Sequence, residues 1–180
     1  MKGDALTNYE VLKQLCNSDL LHLKECKDLN SVKKEVKQDN PLIIDAVFGI
    51  GFKGELEARL KKIFSFINNI ENKKIIAIDT VSGLSNHEVK SDCIKADVTL
   101  TMGVKKFNSM FGFGRELSGK VDVMNIGIPA IEFDRYNKRK MFEIELEDVK
   151  GFLPKRNINS NKYTNGKLFI IAGTPGFTGA

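Results

Sequence analysis

The chain has 180 residues, 42% of them hydrophobic and 28% charged, with a formal net charge of +5 and a pI near 9.0. That length suffices for one ordinary domain with a real core, or for a domain and a fragment, and no apolar run approaches the ~20 residues of a membrane span. The lysines are scattered through Asn-rich polar segments without an RNA- or DNA-binding signature, so no nucleic-acid partner is expected. Met1 to Leu6 carry no signal-peptide core, and three cysteines (Cys16, Cys26 and Cys93) share no metal-ligand spacing and are odd in number for a disulfide framework. A cytoplasmic, reducing setting fits that usage.

Tyr9, Leu12 and Leu15 recur at helical spacing, which predicts a short amphipathic helix over Asn8 to Leu15. Leu20 to Leu23 read as a short strand, and Asn30-Ser31 as the cap of a second helix ending near Val36. The run from Pro41 to Gly51, apolar but for Asp45 and closing on glycines, predicts a buried parallel strand. Glu55 to Ile70 carries Leu56, Leu60, Ile63, Phe64 and Ile67 on one helical face. Strands are expected at Lys73 to Asp79, Asp97 to Met102 and Lys120 to Ile126, a polar connector over Ile131 to Val149, and a last strand at Lys167 to Ala172 before a glycine-rich turn ending at Ala180. Strands that alternate with helices and end in glycine or small polar residues imply an α/β three-layer sandwich with a mostly parallel sheet.

In such sheets ligands sit beyond the carboxyl ends of the strands, and two loops there carry candidate chemistry. Asp45 is a carboxylate inside an apolar strand, costly unless paired, hydrogen-bonded or metal-bound. Gly49, Gly51 and Gly54 bare the backbone for a phosphate, and Lys53 adds charge. The competing reading is a tight turn in which Asp45 is a hydrogen-bonded cap. Asp79 ends the next strand, where it can bind ribose hydroxyls or do acid/base work, and Ser82 offers a hydroxyl to a cation or phosphate. Here the competing reading is an Asp–Ser turn. His22 and His87 lack partner spacing and read as surface or turn residues; Cys16 reads as core and Cys93 as partly buried. Phe107, Phe111 and Phe113 read as packing residues, with a pocket wall or a contact in a homo-oligomer as alternatives.

Taken together, Ile44 to Gly51, Ile78 to Leu84, Ala96 to Lys105 and Gly119 to Pro129 resemble, in order and spacing, the NAD(P)H-hydrate epimerase family, the YjeF N-terminal domain. The resemblance implies a Rossmann-like fold and epimerisation of the R and S forms of hydrated NADH and NADPH, a metabolite repair that uses a bound potassium ion. It implies potassium ligands at Asp45 and Ser82. It implies substrate contacts at Gly49, Ile50, Gly51, Phe52, Lys53, Gly54, Glu55 and Asp79, with Asp79 as the acid/base group. The family's Asn-Gly-Gly-Asp-Gly type loop has no counterpart here, and Thr80-Val81 stands where Ile-Pro is usual. The sheet is therefore expected to lack its first strands, and the chain to show little or no activity by itself; the alternative is a non-catalytic nucleotide-binding remnant that needs a second chain to complete its pocket.

Phe152 to Arg156, Asn161 to Lys167 and Ile171 to Ala180 resemble the opening of the ADP-dependent NAD(P)H-hydrate dehydratase, a ribokinase-like domain that often follows the epimerase in one bifunctional chain. Asn161-Lys162-Tyr163 stands where that family has His-Lys-Gly, and Ala180 matches a substrate-contacting position. The expected organisation is a partial epimerase domain over 1–131, a connector over 132–150 and a dehydratase fragment over 151–180. The ADP site is expected beyond that fragment.

Overall fold

The computed structural model describes residues 3–16, 21–36, 39–85, 92–136, 141–170 and 172–173. The chain divides into two units, Met1–Phe133 and Asp134–Ala180.

The first unit opens with α1 (Asp4–Leu15) and α2 (Leu29–Glu35). The cap of α2 is Asp28 rather than Asn30-Ser31. Asp28 accepts from the Ser31 amide at 2.8 Å and its own amide donates to Ser31 Oγ at 3.1 Å, a reciprocal box that satisfies two helix-end donors. Leu21 to Leu23 form no strand. A strand this short persists only where a neighbour pairs with its backbone, and no described strand runs beside it.

Four strands follow, β1 (Leu42–Asp45), β2 (Lys74–Ile78), β3 (Val98–Met102) and β4 (Lys120–Met124), all parallel and in the order β1-β2-β3-β4. The helix α3 (Ala58–Asn68) joins β1 to β2; α4 (Phe107–Met110) and α5 (Gly112–Ser118) lie between β3 and β4. This is an α/β, Rossmann-like sheet.

The period of two in each strand sorts the side chains between two faces. One face carries Ile43, Asp45, Ile75, Ala77, Thr99 and Thr101 in register, and there the core forms, with Leu56, Ile63, Phe64, Val81, Leu84, Cys93 and Ile94. The other face carries Leu42 and Ile44, which are 64% and 62% exposed. The expectation of a fully buried first strand is therefore corrected. β1 lies at the sheet edge among the described strands, and only one of its faces is covered.

Two small-residue contacts close the far side. A Cβ on Gly114 would meet the Asn108 carbonyl oxygen at 1.8 Å, and one on Gly119 (φ +59°) would meet the Asp97 carbonyl oxygen at 2.3 Å. The buried residues of α4 and α5 are accordingly Ser109, Gly114 and Ser118. Phe107, Phe111 and Phe113 are left exposed, contrary to a packing role; the rings of Phe107 and Phe111 stack on each other at 4.7 Å. Cys93 is buried, Cys16 only half-buried, and His22 exposed; His87 lies outside the described residues.

The second unit contains α7 (Leu146–Phe152), capped by Glu145, whose amide donates to Asp148 Oδ2 at 2.9 Å. Between the strands and α7 runs α6 (Ala130–Tyr136), so the expected connector contains helix at both ends. Asn161 Oδ1 accepts from the amides of Tyr163 and Thr164, an Asx turn. Lys167 to Ile170 are not a strand, and Leu168, Phe169 and Ile170 are exposed, because no described strand of this unit offers ladder partners.

Asp97 ties β2 to β3 outside the ladder: its Oδ2 accepts from the Ile75 amide at 2.8 Å. That bond, aided by Lys74, holds the Asp97 carboxyl below its ordinary range against the opposing effect of burial. A depressed folded-state value stabilises above the unfolded-state value and is lost as pH falls through the folded one. Asp97→Asn is therefore expected to lower Tm at pH 7. The Tm gap to wild type should shrink as pH drops below about 3.9, which thermal scans at stepped pH will measure.

Candidate functional site

Asp45 pairs in register with Ala77, so the carboxyl ends of β1 and β2 lie side by side and their following loops meet. Asp45 is 5% exposed and Ser82 fully buried. Ser82 donates twice to Asp45, from its amide to Oδ2 at 2.7 Å and from Oγ to Oδ1 at 2.5 Å. The Phe48 amide donates to Ser82 Oγ at 2.9 Å, and the Val47 amide approaches Asp45 Oδ1 at 3.4 Å. A carboxylate taken from water needs such donors. Here they come mainly from a loop 37 residues away rather than from the turn that follows Asp45. The bond from within the turn, Val47 to Asp45, is the longest of these.

Ser82 is held by its surroundings. Its carbonyl accepts from the Ile94 amide at 3.0 Å. Gly83 follows with φ +94°, where a Cβ would meet Leu56 Cδ1 at 2.9 Å and Cys93 Cα at 3.2 Å. Only glycine adopts that backbone and leaves that space.

The donor set that Asp45 and Ser82 offer is oxygen only, a carboxylate and a hydroxyl, which suits a hard cation. Among the described residues no group of three or more His, Cys, Asp or Glu side chains gathers as a metal cluster.

Asp79 continues the β2–β3 ladder, its amide donating to the Leu100 carbonyl at 2.8 Å. Its φ of +70° lies in the left-handed region, which costs a non-glycine residue about 1–2 kcal/mol. The turn directs its carboxylate toward two groups. Oδ1 accepts from the Met102 amide at 3.3 Å and forms an ion pair with Lys106 Nζ at 3.0 Å. Oδ2 lies 3.5 Å from where a Cβ on Gly49 would sit. The first and second loops thus converge on Asp79.

Within the first loop Gly49, Ile50, Gly51, Lys53, Gly54 and Glu55 are exposed, while Phe52 is half-buried. Phe52 rests on Phe48 with ring centroids 4.6 Å apart, and its amide donates to the Gly49 carbonyl at 3.1 Å. Gly54 has φ +90°. The loop is a short exposed arch pinned by two aromatic rings. Ala180 lies outside the described residues.

Two features here escaped the sequence reading. Lys106 is one; its side chain is only 12% exposed, and its ammonium donates to the carbonyls of Met102 at 2.7 Å and Val104 at 3.1 Å. The rule that ligands gather beyond strand ends covers the β3 end as well, and applying it there would have singled this lysine out. The other is the Thr80 hydroxyl, buried without a hydrogen-bond partner among the described residues.

A model of the family described as "YjeF-related protein N-terminus" matches residues 1–107, more than half of the 180. The chain belongs to that family. Among its YjeF-related relatives, the "Bifunctional NAD(P)H-hydrate repair enzyme Nnr" of Dictyoglomus turgidum is 34% identical over 165 residues, 89% of this chain and 31% of that protein. The enzyme of the same name from Moorella thermoacetica is 29% identical over 184 aligned residues, 100% of this chain and 34% of that protein. The "NAD(P)H-hydrate epimerase" of Elusimicrobium minutum is 36% identical over 124 residues, 66% of this chain and 54% of that protein. The chain spans about a third of the length of the bifunctional relatives it matches.

Ser82→Ala leaves the buried Asp45 short of its shortest donor and is expected to cost about 1–3 kcal/mol. Thr80→Val removes an unpartnered hydroxyl and is expected to be neutral or to stabilise by up to about 1 kcal/mol. Urea midpoints with an unchanged m-value will give both signs.

Proposed function

We propose that this YjeF-type unit acts in the epimerisation of hydrated NADH and NADPH. The observation that carries the reading is the position of Asp79. Its Oδ2 faces the bare Gly49 backbone of the loop that the Asp45–Ser82 pair anchors. The names of the Elusimicrobium minutum and Dictyoglomus turgidum relatives support the substrate.

The reacting centre of such a substrate is a ring carbon that bears a hydroxyl and neighbours the ring nitrogen. Protonation of that hydroxyl lets it leave as water, and the nitrogen lone pair forms an iminium. Water then adds from either face and returns its proton to the base, so the net change is inversion at one carbon. Asp79, which is ion-paired and must first take up a proton from solvent on Oδ2, is proposed as the group that gives that proton and takes it back. The glycines of the loop let the dinucleotide approach the backbone, and Lys53 adds a cation near its phosphates.

Asp45 and Ser82 are proposed as potassium ligands. Held by these two oxygen donors, such an ion would supply positive charge to the site. Residues 151–180, within the second unit, are proposed as the beginning of a dehydratase-type domain. Alignment with the bifunctional relatives runs through it, over 89% and 100% of the chain, whereas alignment with the Elusimicrobium minutum epimerase covers 66%.

The test is R/S interconversion of hydrated NADPH by the 180-residue chain, followed by chromatography. At most a small, potassium-dependent acceleration over the uncatalysed reaction is expected. Asp79→Asn should remove about 100-fold or more of it. Gly49→Ala, whose methyl would only touch Asp79 Oδ2, should fold normally yet raise KM. No acceleration at any potassium concentration refutes the reading.

A further inference from the structure

We propose that Lys106 is the positioning residue for Asp79, fixing one carboxylate oxygen so that the other is the working one. The inference rests on the epimerase reading above and adds to it the residue that aims its acid/base group.

An ammonium has three donors and no acceptor. Those of Lys106 are matched by three acceptors, the carbonyls of Met102 at 2.7 Å and Val104 at 3.1 Å, and Asp79 Oδ1 at 3.0 Å. Both side chains of the ion pair are largely buried, 12% exposed for Lys106 and 20% for Asp79. A lysine so surrounded is directed at the protein's own acceptors. Its effect is on Asp79. With the Met102 amide it makes Oδ1 the held oxygen, and Oδ2 is left toward Gly49.

The backbone agrees with this division. Asp79 sits at φ +70°, a conformation that persists only where neighbours over-determine it. The Leu100 carbonyl, the Met102 amide and the Lys106 ammonium do so from β3 and the loop after it. Lys106 is thereby part of what sustains the strained turn. Its loss lets the carboxylate rotate and the turn relax.

Two measurements on the 180-residue chain decide the matter. The first does not depend on any activity. Reductive methylation with per-lysine mass spectrometry should modify Lys106 about ten-fold or more slowly than the exposed Lys120, and Asp79→Asn should release Lys106 alone. Equal rates for the two lysines overturn the pair. The second uses hydrated NADPH. Lys106→Met is expected to lower kcat about 100-fold with KM within about two-fold, and to have no further effect in an Asp79→Asn background. Aminoethylation of Lys106→Cys, which rebuilds an ammonium of similar reach, should restore most of the rate relative to identically treated wild type. Unchanged kcat in Lys106→Met, or an equal loss on top of Asp79→Asn, overturns the positioning role. Wild type without interconversion overturns the epimerase reading itself, while the labelling still reports whether the ion pair exists.

Discussion

A carboxylate buried in the covered face of a sheet is tolerated only if donors reach it, and Asp45 meets that requirement through Ser82. The consequence spreads outward from those two hydrogen bonds. Ser82 must present both its amide and its hydroxyl, so the loop after β2 must turn back under β1. Gly83 makes that return possible with a backbone and a space that no side chain fits. Phe48, whose amide completes the arrangement at Ser82 Oγ, stacks on Phe52 and so sets the start of the exposed glycine arch. The polar link thus specifies where the two loops meet, and the apolar contacts of Leu56, Val81 and Leu84 supply the burial that makes the meeting favourable.

Asp79 is governed by a different balance. It stands at the end of a central strand, in a left-handed turn that its side chain does not favour. The strain is small beside the whole stability of a domain, but it is local. It is held by partners drawn from the adjacent strand β3 and the loop that follows. Asp45 secures the loops to each other, whereas Lys106 secures one acid within them. The first arrangement is mainly architectural, and the second bears on how a proton can be moved.

Much of the sheet and of the site was legible in the sequence because the relevant signals are local. The β2 and β3 strands are short apolar or β-branched runs with breakers at their ends, and α3 shows its apolar stripe plainly. Asp45, Asp79 and Ser82 stand out as candidates because strand-end polar residues in a parallel sheet have a known use, and the structure brings the three to adjoining strand ends. What stayed hidden depends on contacts between distant segments. That Leu42 and Ile44 are exposed reflects how little covers that face of β1 among the described residues, which periodicity does not encode. That Phe107, Phe111 and Phe113 face outward follows from Gly114 and Ser118 drawing α5 close to its neighbours. Lys106 looked like one of many lysines because its acceptors are backbone carbonyls, invisible in side-chain chemistry.

The edge position of β1 has a consequence for how the site is populated. Asp45 is the last residue of that strand, and among the described strands it is hydrogen-bonded to β2 alone. Edge strands with few covering contacts are among the first segments to open in native-state fluctuations. Opening here separates Asp45 from Ser82 and frees the glycine arch with it, so assembly of the site and local folding of β1 are one equilibrium. A ligand that bridges the two loops draws on that equilibrium: part of its binding free energy goes into closing the strand, and in return it protects the amides of β1 by mass action.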